Sequence, residues 1–190
     1  MEAFESFVAV ALESEDYVVS SAVKFPVQLR TKKAAYEEFQ THGYEVDLVA
    51  ARADSLVLAT VKSFFGSRGV VADHVTGAGK NERWTKLYAL LNNEAIRSQV
   101  LNGAAKRYGY PAKQVELRLY VGRFAGPTQG HHEAQIRAWA KTKRVGAGPI
   151  KVFGLDEVVG AVRDAAEHKQ YRDDPVLVTM KVLAAAKMLV

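Results

Sequence analysis

Between positions 44 and 62 two apolar-rich runs flank a short polar connection, and this stretch narrows the possible folds more than any other. The first run is Glu45-Val46-Asp47-Leu48-Val49-Ala50. The connection is Arg52-Ala53-Asp54-Ser55, and the second run is Leu56-Val57-Leu58-Ala59-Thr60-Val61-Lys62. Such runs around a tight connection predict a β-hairpin. Side chains two apart on a strand point to the same face, so Thr60 and Lys62 are expected on one surface. An Asp inside Val-Asp-Leu-Val is costly if buried without a partner. Asp47, and Lys62 by the same argument, are therefore candidate site residues.

The rest of the chain can be read around that hairpin. Phe4, Phe7, Val8, Ala11 and Leu12 recur at helical spacing and predict an amphipathic helix over residues 2–14. A strand is expected over 17–29, limited or bent by Pro26. Residues 30–43 are polar and predict a loop with a helical turn around 34–40. After the hairpin, Gly66, Gly69, Gly77 and Gly79 punctuate a loop-rich stretch. Residues 82–107 read as helical, interrupted near Asn92-Asn93 and ended by Gly109-Tyr110-Pro111. Then come a strand over 115–124, a helix over 131–143, a short strand at 150–153 and a helix over 155–168. Asp174-Pro175 supplies an N-cap and first-turn pair for a closing helix over about 176–189. Antiparallel pairing in the first half and βα alternation in the second predict a three-layer α/β/α fold around a central mixed sheet. With 190 residues, no internal repeat and no linker, one domain over 1–190 is expected.

Composition excludes several classes. About half the residues are apolar (48%) and a quarter charged (25%), as in a globular chain. No run of 18 apolar residues argues for a membrane span. The acidic, amphipathic N-terminus does not resemble a secretory signal. The sequence has no cysteine, which removes disulfide and thiolate chemistry and fits a cytoplasmic protein. A net charge of +5 permits a polyanionic partner. Gly77-Ala78-Gly79-Lys80 is not a phosphate loop, because Asn81 follows the lysine and His74 stands where the first glycine belongs. His131-His132-Glu133 has metal-ligand composition without ligand spacing and reads as a helix start. No Gly-x-Ser-x-Gly is present, so a nucleophilic hydrolase has no support.

Asp47 with Lys62 is a coherent pair for phosphodiester chemistry. Facing carboxylates can hold a hard cation, and a lysine can orient water or neutralise charge on the phosphate. The arrangement resembles the PD-(D/E)xK, or restriction-endonuclease-like, nuclease superfamily, and in particular its Holliday-junction-resolvase and Mrr-like branches. There an acid on the first helix precedes a strand, an Asp opens the hairpin, and an acid-x-Lys closes it. This chain offers Glu5, the strand Tyr17-Val18-Val19, Asp47 and Lys62. Val46 stands where the proline of the motif would be, and Thr60 takes the place of the second acid.

The resemblance implies a restriction-endonuclease-like core and a Mg²⁺- or Mn²⁺-dependent endonuclease with a degenerate site. Asp47, Lys62 and Glu5 would be catalytic. Asp47 and Glu45, the nearest acid on the same expected strand face, would hold the metal; Glu13 is a more distant substitute. Arg68, Lys80, Arg83 and Lys86 cluster in sequence and would contact nucleic acid, DNA foremost. A homodimer is implied as well, with the apolar closing helix either in the core or between copies. The alternative is a non-catalytic binding or protein-interaction module on the same fold, for which Thr60 is the principal sign. A structural protein assembling through 176–189 is the third reading.

Overall fold

The computed structural model describes residues 2–30, 38–126, 131–167 and 174–188. Its centre is β3 (Ser55–Lys62), buried at every position but the last. Leu56 and Leu58 enter one apolar cluster, while Val57, Ala59 and Val61 enter another. Both faces of this strand are thus covered, which explains a near-continuous apolar run where a half-exposed strand would alternate.

β2 (Phe39–Arg52) pairs antiparallel with β3, and β1 (Val18–Arg30) pairs antiparallel with β2. On the other side β4 (Val115–Val121) runs parallel to β3. A two-stranded piece, β5 (Arg144–Val145) with β6 (Gly148–Pro149), precedes β7 (Lys151–Phe153), which is parallel to β4. The sheet order is β1-β2-β3-β4-β7. One face carries α2 (Ala72–Thr76), α4 (Ala89–Asn92), α5 (Glu94–Tyr108) and α6 (His132–Thr142). The short α3 (Glu82–Lys86) lies between α2 and α4 and buries nothing. The other face carries α1 (Ala3–Glu13), α7 (Leu155–Glu167) and α8 (Pro175–Ala185). This is the three-layer α/β/α arrangement with a mixed sheet that the element order predicts.

Local signals account for several boundaries. The Asn93 side chain accepts from the Ile96 amide and opens α5, and Gly109 ends it at φ +77°. Asp174 Oδ1 accepts from the Val176 and Leu177 amides, and Pro175 occupies the first turn of α8. α8 buries Leu177 and Met180, whereas Val178 and Val182 stay 47% and 60% exposed. No helix among the described residues is long and apolar enough to cross a membrane.

Two expectations need correction. Pro26 does not limit β1: it sits within the strand opposite Gly43, because β1 is an edge strand with no neighbour to require that amide. Residues 39–43 are not loop but the start of β2, paired with 26–30 of β1. All five are exposed, so no inward-facing pattern marks them. What holds them is β1, whose Phe25 and Val27 are 1% exposed and belong to the cluster shared with α5. The expected helical turn around 34–40 falls largely on 31–37, outside the described residues. So do residue 168 of the expected α7 helix and residue 189 of the closing helix.

Candidate functional site

The β2–β3 ladder runs from Arg52↔Ser55 to Leu48↔Ala59 and stops there. Thr60, Val61 and Lys62 continue alongside β4, opposite Leu119, Tyr120 and Val121, while β2 continues against β1. Asp47 stands where the two strands part. Its Oδ2 accepts three hydrogen bonds across the gap, from the Val61 amide at 2.6 Å, Thr60 Oγ1 at 3.1 Å and Lys62 Nζ at 3.4 Å. The carboxylate thus takes over a backbone amide that has lost its ladder partner on β2. Its side chain is 22% exposed and that of Lys62 18%, so the pair is half-buried and screened less than a surface pair.

The opposite edge of β2 is distorted at the same place. Ser21 pairs with Leu48 and Val23 with Val46, leaving Ala22 and Asp47 out of the pairing, and Ala22 has φ +54°. The inward-facing pattern shifts here too. Val46 and Val49 pack in the cluster with α5, while Leu48 and Ala50 pack in the cluster with α1. Regular alternation would put residues 46 and 49 on opposite faces. Because of this switch, which leaves the β1–β2 register unchanged, Glu45 looks away from the face that Asp47 shares with Thr60. Its carboxylate lies 3.6 Å from Lys24 Nζ on β1.

Of the sequence-predicted site residues, the structure therefore brings together Asp47 and Lys62, with Thr60 between them. It does not bring Glu45 to them. Glu5 lies in the first turn of α1, where its Oε2 accepts from the Glu2 amide at 3.0 Å. The N-cap of α1, Glu2, reaches the residue just past the hairpin: its Oε2 accepts from Ser63 Oγ at 3.3 Å. Sequence reasoning named Glu5 and not Glu2, because the resemblance calls for an acid on the first helix. Among the described residues, no three His, Cys, Asp or Glu side chains come together in a way that could hold a metal ion. One carboxylate, with an oxygen already accepting three hydrogen bonds beside an ammonium, does not fit Mg²⁺, which prefers oxygen ligands in near-octahedral array.

The four candidate nucleic-acid residues are all exposed. Lys86 pairs with Glu82 at 3.2 Å, and Arg83 lies 6.0 Å from the Trp84 ring centroid. Arg68 and Lys80 have no carboxylate partner among the described residues. His131-His132-Glu133 is indeed a helix start: α6 begins at His132, whose Nδ1 accepts from the Ala72 amide at 3.3 Å.

Sequence reading missed a second polar centre on the α1 face. Arg118 of β4 is 3% exposed and donates to Glu15, Glu116, Tyr120 and Tyr17. Burial opposes its charge, but the bonds to Glu15 and Tyr120 outweigh that and raise its pKa. Glu116 is desolvated too, yet the Lys151 and Arg118 cations hold its carboxyl below the usual glutamate value. Burial pushes the Tyr120 hydroxyl up to about 12. The alternation of Glu116, Arg118 and Tyr120 along one strand face was the available signal.

No protein-family model matches the chain, and no curated protein matches it either. Among solved structures, a protein of unknown function, AF1548, is similar over 96% of this chain and 76% of its own, at 13% identity and a TM-score of 0.42. That degree of likeness assigns neither a family nor a function.

Proposed function

We propose that the chain is a nucleic-acid-binding module on a nuclease-like α/β/α fold, whose hairpin site closes the sheet instead of holding a metal. One observation carries this reading: Asp47 Oδ2 is engaged by Thr60, Val61 and Lys62, and a hydroxyl stands where a second carboxylate would be needed. The exposed cations Arg68, Lys80 and Arg83, in a chain of net charge +5, supply the electrostatic attraction to a phosphate backbone. DNA is the partner we favour, in the cytoplasm.

The second reading, a metal-dependent endonuclease with a degenerate site, is favoured by the meeting of Asp47 with Lys62. Two measurements separate them. Calorimetric titration with Mg²⁺ and Mn²⁺ is expected to show no saturable binding by the wild type and a gain in Thr60→Glu, which restores the second acid beside Asp47. Fluorescence anisotropy with labelled oligonucleotides is expected to show binding that weakens with salt, log K falling by about 0.7 to 0.9 per phosphate neutralised for each unit of log salt. Metal-dependent cleavage by the wild type, lost in Asp47→Ala, would establish the endonuclease instead. No binding to any oligonucleotide at low salt would defeat both readings.

A further inference from the structure

Directly after Lys62 the chain leaves the sheet through Phe64, whose φ of +45° is costly for a bulky aromatic residue. The turn is closed by Ser67, whose amide and Oγ both donate to the Phe64 carbonyl, at 3.2 and 3.3 Å. It brings Phe65 to the surface, 50% exposed.

The ring is nevertheless held in place. It meets Phe4 edge-on, with centroids 5.5 Å apart and planes at 85°. It also rests on the backbone of Gly122, where an added Cβ would stand 2.7 Å from the Phe65 Cζ. An aromatic side chain fixed by its own domain and half in solvent gives up little conformational freedom when something stacks on it.

Cations stand beside it. Arg123 Nη1 donates to the Phe65 carbonyl at 3.4 Å, and Arg68 follows three residues later. Both are exposed, and neither has a carboxylate partner among the described residues. Of the acids on this side, Glu2 accepts from Ser63 Oγ and Asp47 from its three donors, Lys62 among them. Among the described residues, two other aromatics are exposed near basic residues: Trp84, which already stacks on His74 at 6.0 Å, and Phe39, which lies in the β1–β2 ladder opposite Arg30.

We propose that Phe65, with Arg68 and Arg123, is a stacking platform for an unpaired base of single-stranded nucleic acid, the guanidinium groups taking the adjoining phosphates. An aromatic ring with cations nearby suits this ligand, because every base offers a π-face and every linkage an anion. The inference rests on the nucleic-acid reading above. It adds that the protein senses bases as well as charge.

The test compares binding of fluorescein-labelled oligo(dT) with that of an abasic oligonucleotide of the same length, which carries the same phosphates and no bases. The wild type is expected to bind oligo(dT) at least about fivefold more tightly, in line with one stacked base. Phe65→Leu, which keeps an apolar group on Phe4, is expected to lose that difference, and Phe65→Trp to keep it. Equal affinities in the wild type, or an unchanged preference in Phe65→Leu, overturns the platform and leaves the nucleic-acid reading standing. Failure to bind either oligonucleotide overturns both. Should Phe65→Leu fail to fold, the same comparison is made with Phe65→Met, and equal affinities in the wild type overturn the platform without any variant.

Discussion

Replacing Asp47 by alanine removes one acceptor and leaves three donors without it, one of them the Val61 backbone amide. The amide is the costly one, since it lies between strands that have already separated and has no ladder partner on β2. A buried donor left unmade costs about 1–3 kcal/mol. Urea denaturation of Asp47→Ala should therefore show a loss of about 2 kcal/mol. A change within roughly 0.5 kcal/mol of the wild type, as at an ordinary surface position, would mean that water replaces the carboxylate and that Asp47 has no structural part. The pairing of Asp47 with Lys62 was legible in the sequence, because a charge in an apolar strand must find a partner. The position of Glu45 was not. A period of two assigns it to the Asp47 face, and only the switch at Ala22 and Asp47 turns it toward Lys24.

Within the helical stretch expected over 82–107, which the structure divides into α3, α4 and α5, the ends that carry their own signals were read well. α5 opens on an asparagine cap and closes on a left-handed glycine, both visible in the chain. Gly109 at φ +77° has open space around a would-be Cβ, so Gly109→Ala is penalised by backbone conformation alone. Thermal denaturation should give a loss of about 1 kcal/mol for this substitution. A neutral result would show that the last turn of α5 frays without cost. The opposite case is the first part of β2. Its exposed residues Phe39 to Gly43 carry no periodic apolar signal, and they are strand because β1 packs Phe25 and Val27 beneath α5 and offers a paired edge. Pro26 was read as a limit on β1 for the related reason that edge position is a property of the sheet and not of the strand.

For the molecule as a whole, the charge network around Arg118 ties the turn after α1, β4 and β7 together through Glu15, Glu116 and Lys151. It also sets a pH dependence. Glu116, despite its burial, is held by Lys151 and Arg118 below the usual value of 4.5. Glu157, also desolvated, is held below it by a separate pairing with Arg137. The unfolded chain therefore binds protons more readily than the folded one. Their contribution to stability is complete above that value and is lost as pH falls through the lower folded values. The melting temperature should thus drop on acidification below about pH 4.5, and the drop should be shallower in Glu116→Gln. A profile equally steep in that variant would place the acid sensitivity elsewhere.

Element order, the mixed sheet between two helical layers and the meeting of Asp47 with Lys62 could all be read along the chain. Each follows from local periodicity or from the cost of an unpaired charge, and neither needs a distant residue. Only the three-dimensional packing closes Asp47 on β3, brings Glu2 rather than Glu5 to Ser63, and stands Phe65 half-exposed on Gly122 beside Arg123. Those outcomes depend on where β2 parts from β3 and on which backbone lies beneath a side chain. Such contacts join residues up to 61 positions apart, as Ser63 and Glu2 do, and spacing along a chain does not encode them.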